Sequence, residues 1–169
     1  MINDDAVNKS TMRRVNCILI NETYQSCLSA IGECEKDRIF CRHNMGHLLD
    51  VARLAYIINL EEKYKVKKEY IYAAALLHDI GRHIQYQKDI PHEKAGVPIA
   101  RGILEACGYQ EHEIKAILEA IENHRNISIK AVKNLAGLIY RSDKMSRCCF
   151  ACKAQAECHK APEKRRMEL

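Results

Sequence analysis

The stretch that most constrains the fold is Ala73 to Arg82, which reads A-A-A-L-L-H-D-I-G-R. Small and branched apolar residues run into an adjacent His78-Asp79 pair, and Gly81 follows, a residue suited to a helix C′ position. The spacing therefore predicts a buried helix whose last turn carries His78 and Asp79. Neighbours on a helix diverge by about 100°, yet both side chains can reach one ion just past the helix end, and imidazole nitrogen and carboxylate oxygen are both metal ligands. The bland alternative is a His-Asp hydrogen bond that closes a helix. The rest of the chain decides between them.

Three further apolar stripes end in the same way. His47, Val51, Leu54, Ala55 and Ile58 share one helical face. Ile114, Ile117, Leu118, Ile121 and His124 form another, and Val132, Ala136, Ile139, Tyr140 and Asp143 a third. Ile71, Ala74, Ala75 and His78 complete the set. A single His on such a face is more often a satisfied core residue than a ligand. Four faces that meet in one core are different: unpaired, their polar ends would be costly to bury, and one shared metal satisfies all of them.

With seven Gly, three Pro and mostly helical spacing in 169 residues, the chain reads as all-α, a helical bundle with a metal site where four helices converge. The net charge of +5 is mild, and acidic residues are interspersed among the basic ones. That argues against a nucleic-acid surface and fits a basic pocket for an anionic small molecule. The longest apolar run, Ile71 to Leu77, is too short to cross a membrane. No signal peptide is recognisable after M-I-N-D-D, so a reducing cytoplasm is expected, where nine Cys point to metal before disulfides.

In chain order, residues 1–40 read as an N-terminal helical extension, with a loose leader to Ser10 and two packing helices, or one bent one, over Thr11 to Ile20 and Glu22 to Glu35. No chemistry is expected there, and Cys17, Cys27 and Cys34 read as small core or surface residues. The His47 helix is expected to begin near Cys41, with His43 one turn earlier. His83 to Ile90 reads as an irregular rim or lid, Pro91 as the N1 residue of a helix to about Ala106 ending at Gly108, Pro98 as a kink or a later start, and Ser128 as the cap of the last helix.

The motifs H-L-L-D-V-A-R-L-A from His47, A-A-L-L-H-D-I-G from Ala74 and Y-R-S-D-K from Tyr140 resemble, in order and spacing, those of the HD-domain superfamily of metal-dependent phosphohydrolases. The resemblance covers roughly residues 41–147. It implies that His47, His78, Asp79 and Asp143 hold a divalent metal. In some branches two further His hold a second ion. His92, in P-H-E-K-A-G, and His124, in E-N-H-R, resemble those, with Asp79 bridging, although the gap from Asp79 to His92 is short. One or two ions are thus expected, and the nitrogen and oxygen set suits iron, manganese, cobalt or zinc better than magnesium alone. The implied activity is hydrolysis of a small phosphorylated molecule, a nucleotide before others, by attack of metal-bound hydroxide on phosphorus. Asp79, Arg82 and Lys144 are the catalytic candidates, with Arg147 and His43 flanking. The alternative is a non-catalytic module of the same fold that senses a nucleotide or a metal, with its Cys-rich tail as a structural or redox element. Oligomeric state is left open.

Residues 148–169 form a Cys-rich tail. Cys149, Cys152 and Cys158 have metal-knuckle spacing but are one thiolate short of a closed zinc site. Cys41 is the candidate fourth ligand, and His159 its rival. Zinc is expected first, an iron–sulfur cluster second, and plain reduced thiols are the bland reading. Ala161 to Leu169 reads as a basic disordered end.

Overall fold

The computed structural model describes residues 12–168, so the expected leader up to Ser10 lies outside the described residues. Among them, helices are the only regular secondary structure: α1 (Arg13–Ile20), α2 (Glu22–Cys34), α3 (Met45–Glu61), α4 (Lys68–Leu77), α5 (Arg82–Lys88), α6 (His92–Ala106), α7 (Glu111–Asn123) and α8 (Leu135–Met145). The core is organised around α4. Ala73, Ala74, Ala75 and Leu77 are fully buried, and the small side chains let α3, α7, α8 and α1 close around it. A helix segment that is apolar on every side has no solvent face, and α4 is such a segment from Ala73 to Leu77.

Local sequence fixes where each helix begins. Asn21, Asn44 and Asn134 accept backbone N–H bonds at the starts of α2, α3 and α8, each satisfying a donor that the first turn leaves free. Gln110 and Glu113 form a reciprocal capping box on α7. The Asn44 cap bonds to His47 N at 3.1 Å and thereby sets the first candidate ligand in the opening turn of α3.

Several expectations are corrected. α3 starts at Met45, so Cys41 and His43 lie in the preceding loop. Residues 82–88 are helical instead of irregular. Ser128 belongs to a short 3₁₀ turn, and Asn134 caps α8. α6 runs continuously through Pro98. Gly81 has φ −81° and is not a left-handed C′ residue. It is glycine because a Cβ there would lie 2.4 Å from His92 O and 2.5 Å from Gly96 N. This close approach draws the start of α6 onto the His78-Asp79 turn, and so the short gap from Asp79 to His92 can be bridged. Cys17 and Cys107 are joined as a disulfide across 90 residues, where reduced thiols were expected. No described helix is long and apolar enough to cross a membrane.

Candidate metal centre

His78 caps the C-terminus of α4, His124 caps that of α7, and His92 opens α6. His47 sits in the first turn of α3, and Asp143 in the last turn of α8. The polar ends of the stripes therefore meet at one end of the bundle. Ligand atoms of His47, His78, Asp79 and Asp143 lie within 4.8 Å of one another, and so do those of Asp79, His92 and His124. Asp79 belongs to both groups and faces them with different oxygens. Oδ2 is 3.1 Å from His78 Nε2 and 3.5 Å from His47 Nε2, while Oδ1 is 3.0 Å from His92 Nε2.

Each of these imidazoles is anchored through its other nitrogen. His78 Nδ1 donates to Ala75 O at 2.7 Å and His124 Nδ1 to Ile121 O at 2.6 Å. His92 Nδ1 faces Gln85 Oε1, and His47 Nδ1 faces Ser146 Oγ at 3.3 Å. A carbonyl oxygen only accepts, so it fixes the proton on Nδ1 and leaves the Nε2 lone pair directed inward. His47 Nε2, His78 Nε2 and Asp79 Oδ2 are buried with no hydrogen-bond partner. Orphaned groups of this kind are costly unless something else binds them. A divalent cation fits: three neighbouring lone pairs of nitrogen and oxygen point into one space, in a donor set suited to a borderline transition metal.

The electrostatics agree. Burial opposes ionisation of Asp79, but the surrounding imidazoles, His78 first, hold it well below the usual carboxylate range. The same opposition is overcome at Asp143 by His47, His78, Lys144 and Arg147. Burial, together with the charges of His78 and His92, pushes His124 down to about 3 and so keeps it neutral. His92 is lowered as well, mainly by burial, whereas at His78 burial, the largest single effect, is outweighed by Asp79, Asp143 and the bond to Ala75 acting together, which raise it.

The flanking cations are paired with the candidate ligands. Arg82 Nε donates to Asp79 Oδ1 at 3.0 Å, Arg147 to Asp143 Oδ1 at 3.0 Å, and Lys144 Nζ to Asp143 Oδ2. Lys144 is the most exposed of the three, with 46% of its side chain accessible, which marks the open side of the site.

Reading residues up to Glu35 as packing alone missed one contributor. Glu35 accepts from His43 N at 2.7 Å, pairs with His43 Nδ1, and accepts from Tyr86 OH at 2.6 Å. His43 is 2% exposed, and its Nε2 lies 3.9 Å from Asp79 Oδ2. Neither Glu35 nor Gln85 carried a sequence signal. Glu35 reaches the site only through the loop after α2, and Gln85 only because residues 82–88 are helical.

The family model for the HD domain matches residues 44–148. The chain belongs to the HD domain family. An uncharacterized protein of Clostridium beijerinckii is 45% identical to this HD protein over 94% of the chain and 99% of its own length. Ribonuclease Y 1 of Pediococcus pentosaceus and ribonuclease Y of Mycoplasma mycoides are each 28% identical, over 62% and 81% of the chain. The chain spans only 20% and 29% of those two ribonucleases. A crystal structure described as a predicted HD superfamily hydrolase, from an uncultured Thermotogales bacterium, shares the fold at a TM-score of 0.60. The two are 22% identical over 85% of this chain and 81% of that one.

Proposed function

We propose that this HD protein is a metal-dependent phosphohydrolase that cleaves a phosphoester or phosphoanhydride in a small molecule, a nucleotide before others. The observation that carries the reading is the set of orphaned Nε2 and carboxylate atoms converging around Asp79. His47, His78, Asp79 and Asp143 would hold one ion, and Asp79, His92 and His124 a second. Iron, manganese, cobalt or zinc suits these donors. When bound, such an ion lowers the pKa of the water it touches and withdraws charge from phosphoryl oxygens.

Charge balance supports an anionic substrate. The two carboxylates, Asp79 and Asp143, are already matched by Arg82, Lys144 and Arg147. A dication placed among the ligands therefore leaves the cluster with surplus positive charge. Lys144, on the open side, and Arg82 can then turn from the carboxylates to non-bridging phosphate oxygens. His43 is lowered mainly by burial and held by Glu35, and so can take up a proton beside Asp79.

The test is turnover by chelator-treated protein, with each of the four metals restored, on a panel of nucleotides, a generic phosphodiester and single-stranded RNA. Turnover of nucleotides only when metal is restored is expected. The ribonuclease Y relatives favour a second reading, a phosphodiester in RNA, which preferential cleavage of the RNA would establish instead. Metal binding without turnover on any member of the panel would make the chain a sensing module.

A further inference from the structure

The tail beyond α8 is ordered with almost no apolar core. Between residues 148 and 168 only Cys149 and Ala154 are buried, and the segment has only two short 3₁₀ turns, Cys149–Ala151 and Pro162–Lys164. Its backbone is held by two side chains. Gln155 donates to Cys149 O at 3.0 Å, and the Arg165 guanidinium donates to the carbonyls of Gln155, Cys158 and Lys160 at 3.1, 2.7 and 2.8 Å. The expected disordered end is therefore tied down as far as Arg165. Polar bonds of this kind offset little of the entropy of ordering some twenty residues, so a further bound group is called for.

The tail folds around a small hollow, large enough for a water, that it shares with the loop before α3. Cys41, Cys149, Cys152 and Cys158 all line it, beside Phe40 and Arg165. These are four of the seven free thiols, brought together from two distant parts of the chain. His159 is not among the lining residues; its ring stands edge-on against Phe40 at 5.4 Å.

We propose that Cys41, Cys149, Cys152 and Cys158 bind an iron–sulfur cluster that fastens the tail to the wall of the metal centre. Spacing selects a cluster over a single ion. Zinc at about 2.3 Å from each of four tetrahedral thiolates would bring the sulfurs to about 3.8 Å from one another. Among the described residues, only the two groups around Asp79 place three candidate ligand atoms within 4.8 Å of one another, and the thiols are not among them. A multi-iron cluster holds its four thiolates farther apart and occupies the space between them. Phe40 and the Cys149 turn keep that space shielded. The cluster also borders the hydrolytic site, because Arg147, which donates to Asp143, also meets the Cys41 thiol.

The test is analysis of the full-length protein, purified without oxygen from iron-supplied cells, for iron, zinc and acid-labile sulfide. The expected result is about four sulfides per chain, with the visible absorption of a cluster. Sulfide separates this centre from any iron at the histidine site. Cys41→Ser and Cys152→Ser should lose most of the sulfide and the visible band, and Cys148→Ser should keep both, with helical circular dichroism retained. Zinc without sulfide in the wild-type protein overturns the cluster, as does thiolate that binds no metal. Retention of full sulfide by Cys41→Ser overturns the ligand set. Should a variant fail to fold, the wild-type sulfide assay decides alone.

Discussion

Two polar clusters, one half-buried and one buried, lie at the ends of this helical core, and they follow opposite rules. At one end, Arg14 of α1 joins α4 and α7. Its guanidinium donates to both oxygens of Glu69 and both of Glu113, and it lies 4.2 Å from the centre of the Tyr109 ring. Tyr70 OH and Gln110 N also donate to Glu113. Every carboxylate oxygen of Glu69 and Glu113 accepts a hydrogen bond within this network, and of its members only the Tyr109 hydroxyl is buried without a partner. At the other end, around Asp79, imidazole nitrogens and a carboxylate oxygen approach one another without completing hydrogen bonds. A polar cluster that serves stability satisfies its own groups, whereas one that serves binding leaves them for something to come.

The largest expected effect comes from breaking the open cluster at its shared member. Asp79→Asn should cut metal-dependent hydrolysis by more than about 100-fold, the upper end for loss of a partner outside the coordination sphere, while circular dichroism stays helical. Substantial turnover at matched metal content would remove Asp79 from the site. Next comes His124→Ala, which opens one side only. It should lose one of two bound ions and most activity, measured as metal per chain. An unchanged single ion would leave a one-metal site built on His47, His78, Asp79 and Asp143.

Breaking the closed cluster should do something else. Arg14→Ala should cost about 1.5–3 kcal/mol of unfolding free energy, the range for charged hydrogen bonds, and leave metal content unchanged. A loss of metal in that variant would erase the distinction between the two ends.

The smallest effect is on acid stability. Arg14 is the main cause that holds Glu113 down at about 2, from an ordinary 4.5. A carboxylate lowered on folding adds stability above its unfolded pKa and loses it as the pH falls through the folded one. The Glu113 contribution should therefore be complete above about pH 4.5 and disappear toward pH 2, and Glu113→Gln should flatten that part of the acid titration curve. An unaltered curve in the variant would assign the loss to other groups, such as Glu35, which His43 and Tyr86 lower to about 2 against burial.

What could be read in the sequence follows from the same contrast. His47, His78, His124 and Asp143 stood out because a polar residue at the end of an apolar stripe breaks a pattern, and Asp79 because it adjoins His78. The helices were legible for the same reason. The partners that aim the candidate ligands broke no pattern. Ser146 is an ordinary serine near a helix end, Gln85 lay in a stretch without periodicity, and Glu35 followed a helix read as packing. The role of Gly81 was misread because a glycine after a helix suggests a left-handed turn. Only the contact with the backbone of His92 and Gly96 reveals what it permits. The Cys17–Cys107 link was hidden because pairing depends on how α1 meets the end of α6.

The most direct test of the central claim is the metal dependence of thermal unfolding, measured on chelator-treated wild type, Asp79→Asn and Arg14→Ala. A ligand that binds only the folded state adds about 2.7 kcal/mol at a hundredfold excess over its Kd. The account predicts that manganese raises the stability of wild type and of Arg14→Ala by equal increments, and that of Asp79→Asn by none. An equal rise in Asp79→Asn, or none in the wild type, would contradict it.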